Sequence, residues 1–228
     1  NVTVSNIDND KPILTIRGVP AVWTNRSTSI SISTDKTCDI YVDGNKIGER
    51  ANSVIYQVDE NKTFTVRAVD EAGNETTETV VVDKIDKTAP TLSVLASNLT
   101  AHVKRVWLSA KAADEEGGSG IRSITMNGED VTGEATVTVT ENGDYLFVAT
   151  DNAGNQATYS VSVTNIDNEA PTLTVNRNPD EGTWTNVGVS LTIVLSEPCM
   201  IFVNNIVFTT NEENVGFYNI EENGTYVI

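Results

Sequence analysis

The sequence predicts an all-β chain, tandem antiparallel β-sandwiches strung in an elongated rod. Three observations carry that expectation. A short phrase recurs as NIDNDKP (Asn6 to Pro12), KIDKTAP (Lys84 to Pro90) and NIDNEAP (Asn165 to Pro171), its isoleucines 78 and 81 residues apart, and AVDEAGN (Ala68 to Asn74) returns as ATDNAGN (Ala149 to Asn155) 81 residues on. Self-similarity at such a period marks an array of like units. Apolar and polar residues alternate in short runs rich in Val, Ile and Thr, the period of a strand with one buried face. No window sustains a 3.6-residue apolar period, so helices should be nearly absent.

Taken in order, the first unit reads as strands at ILTI (Ile13 to Ile16), SISIS (Ser29 to Ser33), CDIYV (Cys38 to Val42), SVIYQV (Ser53 to Val58), TFTVRAV (Thr63 to Val69) and TETVVV (Thr77 to Val82). Between them lie DGN (Asp43 to Asn45), DEN (Asp59 to Asn61) and DEAGN (Asp70 to Asn74), residues that tolerate left-handed backbone or cap turns. The second unit repeats the plan with TLSV (Thr91 to Val94), VWLSAKA (Val106 to Ala112), IRSITM (Ile121 to Met126), ATVTV (Ala135 to Val139), YLFVA (Tyr145 to Ala149) and TYSVSV (Thr158 to Val163). Six or seven short strands in about 80 residues is the pattern of a two-sheet antiparallel sandwich.

The repeats set the expected boundaries. NVTVSNID (Asn1 to Asp8) matches SVSVTNID (Ser160 to Asp167), so residues 1–6 read as the closing strand of a preceding repeat. Domains are then expected at 7–84, 85–165 and 166–228. In the third, ENGTYVI (Glu222 to Ile228) matches ENGDYLF (Glu141 to Phe147) one strand before a unit would close. Each junction has few residues between its last strand and a proline, which makes it short and semi-rigid.

The ID..AP entry, WTN..V (Trp184 to Val187, loosely Trp23 to Arg26), the D…GSGI loop (Asp114 to Ile121) and the NGxYxFxAxDxAGN-type ending closely resemble bacterial immunoglobulin-like repeats of surface and secreted proteins. The resemblance covers essentially the whole chain. It implies immunoglobulin-like sandwiches in tandem, between an exported N-terminus and a wall anchor or beside a catalytic domain. It also implies an extracellular location.

Against 32 acidic residues stand 15 basic ones, a formal charge of −17 that repels nucleic acid and anionic membrane. No apolar run is long enough to span a bilayer, so no membrane insertion is expected. The partners expected are a host protein or a polysaccharide, with the chain a monomer or weakly associated head to tail. Cys38 and Cys199 are too few to staple three domains. With Trp23 and Trp184 they share one offset of 161, so each is its own domain's copy of one inward position and both thiols should be free. The two tryptophans read as plugs at the sandwich edge.

Catalysis finds no support. His102 has no nearby acid, and no GxSxG, HExxH, CxxC or phosphate-cradling loop is present. A non-catalytic structural or adhesive repeat is therefore expected, with an accessory module of a carbohydrate-active enzyme as the alternative. Up-and-down strands bring the entry, B–C and F–G turns to one end, which gathers Asp86, Asp114 and Asp151 in the second unit and Asp8, Asp35 and Asp70 in the first. Such a set suits calcium, which takes six to eight oxygens, and distantly resembles cadherin junctions. The competing reading is that these aspartates cap backbone N–H groups in Asx-turns. No other cofactor is implied. Trp107 faces outward from VWLSAKA and is the candidate ligand contact, by stacking on a sugar ring, against lateral packing under the 96–105 loop.

Overall fold

The computed structural model describes residues 3–4, 7–100, 102–134 and 136–228. The closing strand expected at residues 1–6 lies largely outside them, and so does Ala135. The described residues hold strands and no helix. By packing, the chain forms two bodies, Asn1–Ile166 and Asp167–Ile228.

The first body begins with β1 (Leu14–Arg17), β2 (Thr28–Val42), β3 (Asn45–Val58), β4 (Lys62–Asp70) and β5 (Glu75–Val82), all paired antiparallel. SISIS and CDIYV are not separate strands as expected. They are the two halves of β2, whose register against β3 shifts between Ser33 and Cys38. The irregularity divides one long strand so that its two halves pair with different neighbours within a single five-stranded sheet. The first half of β2 pairs with β1, and the second half pairs with β4. Ile30 and Ile32 from the first half and Ile40 and Val42 from the second are buried in one core with Phe64, Val66, Val80 and Val82.

The second set of strands divides openly into two sheets. β6 (Thr91–Ala96), β7 (Val106–Ala113) and β10 (Val137–Val139) form one, while β8 (Ile121–Met126), β9 (Glu129–Asp130), β11 (Gly143–Asp151) and β12 (Gln156–Val163) form the other. Val106, Leu108, Phe147 and Val163 meet between them as a second core.

The second body has β13 (Leu173–Asn178), β14 (Val189–Leu195) and β17 (Val215–Ile220) in one sheet, with β15 (Ile201–Val203) and β16 (Ile206–Phe208) as a hairpin. Its core is Leu191, Ile193, Leu195, Ile201 and Val203.

Local geometry ties the three together more closely than the repeated phrases do. Each has a two-residue hairpin turn with φ > 0 at both positions: Asp43 and Gly44, Asn127 and Gly128, Asn204 and Asn205. That is the turn whose twist suits a β-hairpin, and Asn, Asp and Gly adopt it most cheaply. The first residue of each turn also extends the ladder. Asp43 Oδ1 accepts from the Thr65 N–H at 2.8 Å, Asn127 Oδ1 from Leu146 at 2.8 Å and Asn204 Oδ1 from Val227 at 2.9 Å, and each turn N–H donates to the same residue's carbonyl. Four residues after Glu141 the Tyr145 hydroxyl donates back to the Glu141 carbonyl (2.7 Å), as Tyr226 does to Glu222 (3.2 Å). Phe64 holds this place in the first set, its ring 5.2 Å from that of Tyr56.

Two expectations need correcting. Cys38 is buried and free, and burial pushes its thiol pKa up, but Cys199 is free and exposed. Cys38 lies in β2 opposite Asp70 on β4, whereas Cys199 stands just before β15 and belongs to no strand. Trp184 is 96% exposed and plugs nothing, while Trp23 is half-buried under the Lys84 ammonium, 5.0 Å from the ring centre.

Candidate functional site

The repeated Ile-Asp pair divides its labour across the junction. Ile85 is 6% exposed and belongs to the first core; Ile166, 8% exposed, belongs to the second. Each isoleucine plugs the sandwich before it. The backbone holds it there as a short parallel bridge: Thr24 N–H donates to the Lys84 carbonyl (3.0 Å), and Asp86 N–H donates to the Thr24 carbonyl (2.9 Å). Val103 bridges Ile166 in the same way, its N–H donating to the Asn165 carbonyl at 3.0 Å. An asparagine side chain completes the socket. Asn61 Oδ1 accepts the Ile85 N–H at 2.8 Å, and Asn142 both accepts from the Ile166 N–H and donates to its carbonyl, each at 2.8 Å.

The aspartate that follows turns the other way, into its own sandwich. Asp86 is buried; its Oδ1 accepts from Thr88 N–H (3.0 Å) and its Oδ2 from Ser119 N–H (2.7 Å). Burial alone would push its carboxyl pKa up, but hydrogen bonds from Ser119, Thr88 and Glu115 outweigh it and hold it below the usual range. The GGSG stretch makes this approach possible. A Cβ on Gly118 would sit 2.9 Å from Asp114 Oδ2, and Gly120 has φ +79° while its N–H donates to that same oxygen.

Of the three carboxylates expected together, Asp86 and Asp114 do converge, with Glu115 as the third member; their ligand oxygens lie within 4.8 Å of one another. Asp151 is outside that group. It is fully buried, and its oxygens accept from Gly154 N–H, Asn155 N–H (2.8 Å) and Asn155 Nδ2 (2.7 Å). Asn155 Nδ2 also donates to the Asp86 carbonyl at 3.0 Å. The Asp and Asn of DNAGN thus clamp the junction to the turn, an Asx arrangement that needs no ion.

In the first unit the corresponding place holds a cation of the chain's own. Lys36 Nζ lies 3.1 Å from Asp8 Oδ2, 3.2 Å from Asp70 Oδ2 and 2.6 Å from the Asp10 carbonyl. Asp35 stands apart, accepting from the Ile13 N–H. Asn74 repeats the Asn155 clamp on Asp70 and on the Asp8 carbonyl. The Asn74 side chain is the main reason the Asp70 pKa is held down to about 2; burial opposes it, and the Asn74 backbone and Lys36 reinforce it. A folded pKa below the unfolded value of about 3.9 stabilises the fold above pH ~4, and the contribution fades as pH falls toward 2. Acid titration of the first unit followed by Trp23 fluorescence should therefore show a shallower loss of stability between pH 4 and 2 in Asp70→Asn. Equal slopes would count against the clamp.

Trp107 projects outward from β7 as expected and is 47% exposed, with the Arg105 guanidinium 5.6 Å from its ring centre. One ring face is therefore shared with a cation. His102 is exposed.

The phrase DxxxN carried the clamp, and ENK/ENG carried the isoleucine socket. Sequence reasoning took the aspartates of the first as calcium ligands or Asx caps without a role for Asn74 or Asn155, read Asn61 only as part of a turn, and gave Asn142 no role of its own. Lys36 and Glu115 were missed because neither belongs to a repeated word.

Compared with models of known protein families and with curated proteins, the chain matches none.

Proposed function

We propose that the chain is a non-catalytic spacer, built of tandem immunoglobulin-like repeats, from the extended region of a bacterial cell-surface or secreted protein, where it holds an adhesive face at a set distance. The observation that carries this reading is the junction at Ile85 and Asp86. One residue is built into the core of the preceding sandwich and the next is clamped by the following one. Rotation there breaks apolar contacts and hydrogen bonds on both sides, which is what a force-bearing connection requires. The three- and four-stranded sheets and the Tyr145 corner favour the immunoglobulin-like form of the sandwich.

Pulling the chain by its ends in a single-molecule experiment should give separate unfolding steps, each releasing roughly 270 Å for about 80 residues. A single step for the whole 1–166 body, or unfolding with no resistance, would argue against a spacer made of separate mechanical units.

The accessory-module reading rests on Trp107 and predicts polysaccharide binding that is lost in Trp107→Ala. A calcium-stiffened form of the spacer has its own motivation. Where Lys36 neutralises Asp8 and Asp70 in the first unit, Asp86, Asp114 and Glu115 converge in the second with no basic residue in the 114–120 loop. A divalent cation there would supply what Lys36 supplies, and three carboxylates would provide part of its oxygen shell. Calcium should then raise the melting temperature of the second unit. Glu115→Lys, which brings in a tethered ammonium, should raise it without calcium and abolish the response. If calcium leaves both proteins unchanged, the metal reading falls.

A further inference from the structure

One face of the second unit departs from the charge of the rest of the chain. Between Thr91 and Ala113 stand three basic residues, Lys104, Arg105 and Lys111, and no acidic one, in a chain whose formal charge is −17. All three are exposed, and among the described residues no carboxylate pairs with them. Charges are screened beyond about 8 Å at physiological ionic strength, so a ligand on this face meets the local basic set rather than the acidic whole.

Strand register gathers these groups. Leu95 lies opposite Ser109, Ser93 opposite Lys111 and Thr138 opposite Trp107, which puts them on the outer face of the sheet of β6, β7 and β10. Leu95 is 75% exposed. The Trp107 backbone is fixed by Ser97, whose N–H donates to the Trp107 carbonyl (2.9 Å) and whose Oγ accepts the Trp107 N–H (3.0 Å). Lys111 lies four residues on, roughly 13 Å along the strand. A depression of about 240 Å³ opens beside it, lined by Thr91, Ser93 and Ala113.

The sandwich does not require this face. At the offsets of the repeat, Arg17 and Ser31 pair in the first unit where Leu95 and Ser109 pair in the second, and Asn176 and Thr192 pair in the second body. The place of Trp107 is then held by Ser29 and by Ser190. The same two strands form with serine there, so their pairing does not account for the tryptophan.

We propose that this face binds an acidic polysaccharide whose sugar rings carry carboxylates. A pyranose lays its apolar side on Trp107, Arg105 takes that ring's carboxylate, and Lys111 meets another farther along the polymer. The planar carboxylate suits the guanidinium fork, and the Ser93, Ser97 and Thr138 hydroxyls suit those of the sugar. Size argues against a protein partner. Three strands by six residues cover about 15 Å by 20 Å, or roughly 300 Å², where a stable protein partner covers about 800 Å². This inference rests on the accessory-module reading and names the ligand class for it.

Calorimetric titration of the whole chain with polygalacturonate, its methyl ester and dextran sulfate tests it. EDTA is kept present so that calcium cannot bridge the polymer to Asp86, Asp114 and Glu115. Polygalacturonate should bind about tenfold or more tighter than the ester, since a charge-assisted hydrogen bond separates them. Arg105→Gln should erase that preference, Lys111→Gln should weaken binding a few-fold, and Trp107→Ala should abolish it. Arg17→Gln in the first unit should change nothing. These side chains are exposed, so the melting temperature should hold. With 5-fluorotryptophan incorporated, an oligogalacturonate should shift the Trp107 resonance of the wild-type chain and leave those of Trp23 and Trp184 in place. Equal binding of acid and ester, lost in Trp107→Ala, overturns the carboxylate assignment and leaves the accessory-module reading standing. Dextran sulfate or polyglutamate binding as tightly as polygalacturonate makes the face a general anion surface and overturns it too. If no polysaccharide binds and the Trp107 resonance stays fixed, both fall.

Discussion

Ile85→Ala should destabilise the first sandwich by about 2–5 kcal/mol, the usual cost of removing most of a buried isoleucine and leaving a cavity. In a unit of about 80 residues that is a fall of roughly 10 °C or more in Tm. The position makes the result informative. By sequence Ile85 opens the second domain, yet its side chain lies in the first core with Leu14, Val58, Phe64 and Val82. The loss should therefore appear in the unfolding of the sandwich that carries Trp23 and only weakly in the one that carries Trp107. The backbone bonds that Thr24 makes to Lys84 and Asp86 survive the substitution, so the change isolates the plug from the bridge. Ile7→Ala is the control. The same chemistry at a 74% exposed site should stay within about 0.5 kcal/mol in the monomer. Should Trp107 report the larger effect, the plug belongs to the following unit and the socket argument fails with it.

The sequence made the all-β class and nearly every strand of the first two units legible because both rest on local signals. Alternation marks a strand wherever one face is buried, and Asp43-Gly44 and Asn127-Gly128 mark the hairpins by their tolerance of positive φ. It did not show that Ser29 to Val42 is one bent strand. The bend depends on a register shift against β3, and pairing across a hairpin is not written in either strand alone. The acidic end of each unit was legible as a place, since topology gathers the entry and the two turns there. Its inner wiring was not. Asp35 and Asp114 look alike as turn starters, yet one caps the Ile13 N–H while the other shares a cluster with Asp86 and Glu115. What separates them is Lys36, which a period-two pattern treats as one more exposed polar residue. Cys199 and Trp184 misled for the reverse reason. Their offset gave the right equivalence with Cys38 and Trp23, but burial depends on the segment packed over them.

Asp151→Ala should cost the second sandwich about 3–5 kcal/mol, and metal loss would not be the cause. The carboxylate is wholly enclosed and accepts three hydrogen bonds, from Gly154 N–H, Asn155 N–H and Asn155 Nδ2. Removing it takes the acceptor from all three; Gly154 is exposed and its N–H can turn to water, but the half-buried Asn155 donors lose a partner inside the turn, and a donor left unpaired away from water costs about 1–3 kcal/mol. Asp151→Asn keeps one carbonyl oxygen for the backbone donors and should lose distinctly less. The damage should also spread to the junction. Asn155 Nδ2 divides itself between Asp151 and the Asp86 carbonyl, so freeing it from Asp151 loosens the entry segment. Hydrogen exchange separates this from plain unfolding. The Ser119 amide, bonded to Asp86 Oδ2, should exchange faster in Asp151→Ala than the β11 and β12 amides under conditions where the sandwich stays folded. Uniform acceleration would mean that Asp151 supports only its own turn. Chelators should leave the size of this difference unchanged, because the carboxylate acts on N–H groups within 3 Å of it, and the acidic group that would respond to calcium is the separate one formed by Asp86, Asp114 and Glu115.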